Sequence, residues 1–163
     1  MSRIAKAIQN SSEEGFTLIE LMVVVLIIGI LAAIAIPTFL GARTSAQNKA
    51  AESDLRNLLT SQSVAYTNNQ SYADSASLAT LDPSYTNQLA SGGSITVTPT
   101  APTTYVCMYE KSASGTYFGI ASVASTPGTG TYYYSGSSAP SCTQDATTGA
   151  ITGWDSNATA AGW

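Results

Sequence analysis

The 163-residue sequence predicts an α+β fold: a long N-terminal helix packed by its C-terminal half on a small antiparallel β-sheet. Three observations lead there. Residues 16–36 are almost entirely apolar, with Glu20 as their one charge. Between residues 51 and 66, apolar side chains recur at three- and four-residue intervals, the period of a helix face. Beyond residue 94, short β-prone runs alternate with turn residues.

Taken in order, residues 1–15 are polar, with Arg3 and Lys6 early and Glu13 and Glu14 just before Gly15. The apolar run 16–36 is close to the roughly 20 residues a helix needs to cross a hydrocarbon core of about 30 Å. An ordinary secretory signal is the alternative, since Ala33-Ile34-Ala35 offers a small-x-small site. The run is long for that and holds an acid. Arg43 and Lys49 after it balance Arg3 and Lys6 before it, so the positive-inside rule sets no orientation. Past Pro37, the residues Ala51, Leu55, Leu58, Leu59, Gln62, Ala65 and Tyr66 form one stripe. Glu52 and Arg56 stand four apart, in the favourable order for a helical ion pair. A continuous helix over 16–68, with 16–36 as its apolar segment and 37–68 as its amphipathic half, would be roughly 80 Å long.

Residues 69–93 read as an irregular connection, with short helical turns around Leu78, Leu81, Tyr85 and Leu89 broken at Asp82-Pro83 and Gly92-Gly93. Strands are expected at 94–98, 103–110, 116–123 and 131–135, with hairpin loops at 111–115 and 126–130. Together, residues 94–163 form the head, with Ile151 and Trp154 pinning its tail. Tyr132-Tyr133-Tyr134 is expected to be half-buried in the last strand, a setting that tyrosine suits.

Composition removes most enzyme classes. There is no histidine, hence no histidine base, zinc ligand or nucleophile partner. Two cysteines are too few for an iron–sulfur cluster or a cysteine zinc site. Asp145 and Asp155 are too isolated to make a calcium loop. No cofactor is expected. A net charge of −4 argues against strong nonspecific DNA binding, which needs a basic footprint. The 22 Ser and 21 Thr suit an exposed, solvated surface. Asn69-Gln70-Ser71 and Asn157-Ala158-Thr159 fit the short glycosylation pattern.

The most specific signal is Gly15-Phe16-Thr17-Leu18-Ile19-Glu20, followed by the apolar run and Pro37. It closely resembles the processing site of type IV prepilins and their pseudopilin relatives. The resemblance covers the leader and first helix. It implies a stalk-and-head, pilin-like fold and a peptidase that cuts between Gly15 and Phe16, then N-methylates Phe16. Residues 1–15 would be the leader. One departure is that family leaders often end in basic residues, where this chain has Glu13 and Glu14.

A carboxylate in a membrane helix costs about 2.5–3.5 kcal/mol at mid-bilayer, less near the interface, so Glu20 needs a partner. Cleavage supplies one in the amine of Phe16, mostly protonated at neutral pH as α-amino groups are. The resemblance implies that the amine belongs to a neighbouring subunit during assembly. Gly29 weakens the helix by about 1 kcal/mol relative to alanine, and Pro37 removes the hydrogen bond to the Ala33 carbonyl and favours a kink. In pilin-like chains this stretch unwinds on filament packing, and the same is expected of residues 29–37. Cys107 and Cys142 suggest one structural disulfide in an exported head, since a redox pair would favour C-x-x-C spacing.

The expected function is therefore structural: a type IV pilus subunit, most simply the major pilin. It would be held in the cytoplasmic membrane as precursor and then polymerise with copies of itself into an extracellular filament for adhesion, motility or DNA uptake. The expected partners are the prepilin peptidase/methylase and the pilus assembly platform. A type II secretion pseudopilin and a DNA-uptake pilin are the alternatives.

Overall fold

The structure is a computed structural model and describes residues 15–98 and 104–163. Residues 1–14 of the expected leader 1–15, with Arg3, Lys6, Glu13 and Glu14, lie outside the described residues, as does Thr103 at the expected start of the second strand. The chain divides into two compact units, Met1–Gly41 and Ala42–Trp163.

Helix α1 runs Leu18–Asn69, 52 residues. The first unit contributes its apolar beginning. There the large side chains from Phe16 to Leu40 are exposed throughout, and Phe16 keeps 87% of its surface. The helical pattern continues through Gly29 and Pro37. Thr38 sits one turn beyond Ile34 and donates its Oγ1 hydrogen to the Ile34 carbonyl (3.0 Å), a side-chain bond just past the donor that Pro37 lacks.

The second unit is built on the later turns of α1. Ala51, Leu55, Leu58, Gln62 and Ala65 are buried, and Leu55, Leu58 and Gln62 are fully enclosed, as the stripe predicts. Glu52 departs from expectation. It is buried and paired with Lys49, three residues earlier, at 2.8 Å. Arg56 instead lies over the ring of Trp163, 5.5 Å from its centroid. An aromatic face offered by the tail thus competes successfully with the helical carboxylate for the guanidinium.

The connection folds into helix α2 (Ser75–Leu81), a 3₁₀ turn (Pro83–Tyr85) and helix α3 (Thr86–Leu89). Asp74 caps α2, its Oδ1 accepting from the Ser77 amide at 2.8 Å. That bond holds the Asp74 carboxyl below the usual carboxylate range. The buried Gln62 side chain clamps this segment to α1. Its Nε2 donates to the Ala73 carbonyl and its Oε1 accepts from the Ala73 amide, both at 2.8 Å.

Four strands follow: β1 (Ile95–Thr98), β2 (Tyr105–Lys111), β3 (Tyr117–Val123) and β4 (Gly130–Gly136). They form one antiparallel meander in the order β1-β2-β3-β4. The register Val97↔Met108, Met108↔Ile120, Ile120↔Tyr133 lines up one row of side chains. This row meets Leu55 and Leu58 in the main core, with Leu78, Tyr85 and Leu89 from the connection. Alternation puts Cys107, Ala121 and Val123 on the opposite face, where they form a second, smaller core with Ile151. The three central tyrosines of β4 are half-buried, as expected.

The tail covers that second face. Cys142 is joined to Cys107 by a disulfide, with Cα atoms 6.0 Å apart. Trp154 lies on Gly119, where an added Cβ would fall 2.6 Å from a ring carbon, and its Nε1 donates to the Ser141 carbonyl at 2.9 Å. Asp155 exchanges both backbone hydrogen bonds with Tyr133 on β4, at 2.7 and 2.9 Å. Trp163 then reaches the core side, edge-on to Phe118 and Tyr133.

Candidate functional site

The sequence-derived site residues fall into two groups. Gly15, Phe16, Glu20, Gly29 and Pro37 belong to the first unit, whereas Cys107 and Cys142 lie in the second.

Gly15, Phe16 and Thr17 precede the helix and are exposed. The Gly15–Phe16 peptide bond is therefore exposed and outside the helix. Thr17 starts α1. Its Oγ1 accepts from the Glu20 amide at 3.3 Å, while Glu20 Oε2 accepts from the Thr17 amide at 2.9 Å and from the Thr17 hydroxyl at 2.6 Å. This reciprocal arrangement is a capping box, which satisfies otherwise orphaned amides at a helix start. The acid also complements the positive end of the helix dipole. Both of these bonds use Oε2, and neither uses Oε1. The Thr-x-x-Glu spacing was readable in the sequence, yet reasoning that concentrated on the charge of Glu20 passed over Thr17.

The chain therefore holds Glu20 by its own backbone before any partner arrives. The box uses neither residue of the Gly15–Phe16 bond, since its first amide is that of Thr17. Around Glu20, Phe16, Ile19, Val23 and Val24 line a shallow depression of about 360 Å³ with an almost wholly apolar wall.

Gly29 has open space around it. A Cβ added there would meet no atom within 4 Å, so nothing in the chain's own packing demands glycine. Among the described residues, α1 is the one helix long and apolar enough to cross a membrane.

Comparison with known proteins places this geometry. Residues 10–36 match the family model for the prokaryotic N-terminal methylation motif. The type IV major pilin protein PilA of Myxococcus xanthus is 46% identical over 67 residues, 41% of this chain and 30% of that protein. The first helix of this chain is thus similar to that of type IV pilins and pseudopilins. The type II secretion system core protein G of Aeromonas hydrophila is 43% identical over 47 residues, 29% of this chain and 33% of that protein. The corresponding Escherichia coli K12 protein is 41% identical over 46 residues, 28% of this chain and 32% of that protein. This pilin-like chain thus spans about a third of the length of the curated relatives it matches. No solved structure matches it significantly.

Proposed function

We propose that this chain is the structural subunit of a type IV pilus, its major pilin, and that it has no catalytic role. The observation that carries the reading is the Gly15–Phe16 junction, exposed and directly followed by a capped, apolar, unburied helix. The peptidase/methylase would cut after Gly15 and methylate Phe16. Residues 16–36 would anchor the product in the cytoplasmic membrane until the assembly platform extracts it. Burying Leu, Ile and Val side chains is worth about 1.5–3 kcal/mol each relative to water, so transfer from lipid to a filament core must be direct. Head-to-tail contacts that do not close into a ring give an open helical polymer of identical copies.

In this scheme the new Phe16 amine of one subunit meets Glu20 of another, and the pairing selects the axial register. Thr17 keeps the carboxylate at the helix end, where that amine can reach it. Residues 29–37 are helical in the single chain, and the scheme has them unwind on packing, using the weak points at Gly29 and Pro37. The filament would present the Ser/Thr-rich head outward for adhesion, motility or DNA uptake.

The matches to protein G favour a second reading, a pseudopilin of a type II secretion system. The match to the major pilin, over 67 residues, supports the pilus reading. The mass and N-terminal sequence of the mature chain test the class. N-methylated Phe16 is the expected result, and an N-terminus near Ile36 would mean ordinary secretion. Electron microscopy of cells expressing the chain separates the two readings, with surface filaments expected for the pilus.

A further inference from the structure

The sheet face turned away from α1 is only partly roofed by the tail. Beyond Trp154, toward the β2–β3 hairpin, a cleft of about 450 Å³ stays open, lined by Ser94, Thr96, Tyr109, Lys111 and Tyr117 with Ala139 at its side. That volume lies within the roughly 300–1,000 Å³ of ligand clefts. The register explains the grouping: Thr96 is opposite Tyr109, Lys111 is opposite Tyr117, and the two tyrosines are diagonal neighbours. Their rings are tilted by 56° with centroids 6.4 Å apart, and Lys111 Nζ stands 5.4 Å from the centre of the Tyr117 ring.

Lys111 is the single Lys or Arg in the sequence after Arg56, against five Asp and Glu over the same stretch. The head thus places its one cation of residues 57–163 beside two half-buried aromatic rings and a set of hydroxyls. Glu110, the nearest acid in sequence, is on the opposite face and buried. We propose that this cleft binds an acidic saccharide, a pyranose unit bearing a carboxylate. Its apolar C–H face would stack on Tyr109, its hydroxyls would exchange hydrogen bonds with Thr96 and the phenols, and its carboxylate would pair with Lys111. A neutral sugar leaves the ammonium unused. An apolar peptide leaves both the ammonium and the hydroxyls unused. The inference does not depend on the filament reading.

The test is calorimetric titration of the full mature chain, held in a detergent without sugar headgroups, with trigalacturonate and with the neutral galactose trisaccharide. Saturable binding of trigalacturonate, weakened by salt and stronger than that of the neutral sugar, is expected. Lys111→Gln should weaken it about three- to fivefold, the range of an exposed ion pair, and remove the preference over the neutral sugar. Lys111→Glu should weaken it further. Tyr109→Ala should reduce both sugars by up to about tenfold. The Lys111 variants change only an exposed side chain, so they remain informative if Tyr109→Ala unfolds the head. No saturation by trigalacturonate, equal binding of the neutral sugar, or affinity unchanged by Lys111→Gln would each overturn the proposal.

Discussion

Replacing Glu110 by glutamine should stabilise the head near neutral pH and abolish part of its pH dependence. Glu110 is on the core face of β2 and keeps 9% of its surface, and its Oε2 has no hydrogen-bond partner among the described residues. Burial is the main cause that pushes its carboxyl up to about 6, from 4.5. A Ser94 hydrogen bond pulls down and the Asp54 charge on α1 pushes up by lesser amounts. Asp54 itself accepts from the Tyr85 hydroxyl at 3.1 Å, so it stays on the same side of the core. Because the folded state holds this proton more tightly than the unfolded chain, the contribution of Glu110 to stability is most favourable below about pH 4.5. It falls as pH rises to about 6, and this contribution then levels off. A shift of this size corresponds to about 2 kcal/mol, which partial access of water reduces to about 1 kcal/mol.

Glutamine cannot ionise. Glu110→Gln should therefore gain about 1 kcal/mol at pH 7.5, or about 3–5 °C in Tm for a unit of this size, and nothing at pH 4. Urea unfolding of the full chain in detergent, followed by tryptophan fluorescence from pH 4 to 8, measures both. A variant less stable than the parent at pH 7.5, or one with the same pH slope, would refute the reasoning. It would mean that the ionised carboxylate has a partner and the strand tolerates its charge.

Glu20→Gln should lower the number of surface filaments by about tenfold or more, because the neutral amide cannot pair with an incoming amine; fibres in normal numbers by electron microscopy would remove charge pairing from assembly. Thr17→Val should cost about 1 kcal/mol of local helix stability while leaving the charge of Glu20 in place, read as faster hydrogen exchange confined to the first turn of α1. Gly119→Val should displace Trp154 from the sheet and cost about 1–3 kcal/mol, with a red shift in tryptophan emission. Cys142→Ser should destabilise the head by roughly 3–4 kcal/mol on the chain-entropy account of a 35-residue separation, measured by urea unfolding against the parent.

What was legible in the sequence followed periodicity. Helix α1 and all four strands come out within one or two residues of expectation, because a 3.6-residue stripe and two-residue alternation each report a buried face directly. Alternation also carried information that was not used. Val106 and Met108 face the core, so Glu110 two residues on must face it too, and an acid in that place is anomalous. The tail was the opaque part. Ile151 and Trp154 were recognisable as anchors, but no local pattern says that they close the outer face or that Gly119 is the seat of an indole. The pairing of Arg56 with Trp163 rather than Glu52 was hidden for the same reason, since the partners are more than a hundred residues apart.

The backbone bridge between Tyr133 and Asp155 reaches beyond holding the tail. A meander ends in two strands with unsatisfied amides, and such margins invite neighbours to add on. Here one margin is occupied by the chain's own Asp155, and the other is a strand of only four residues. In the proposed filament, copies crowded shoulder to shoulder would thereby be offered little main chain to zip together, and the task of cohesion would fall to the oily helices.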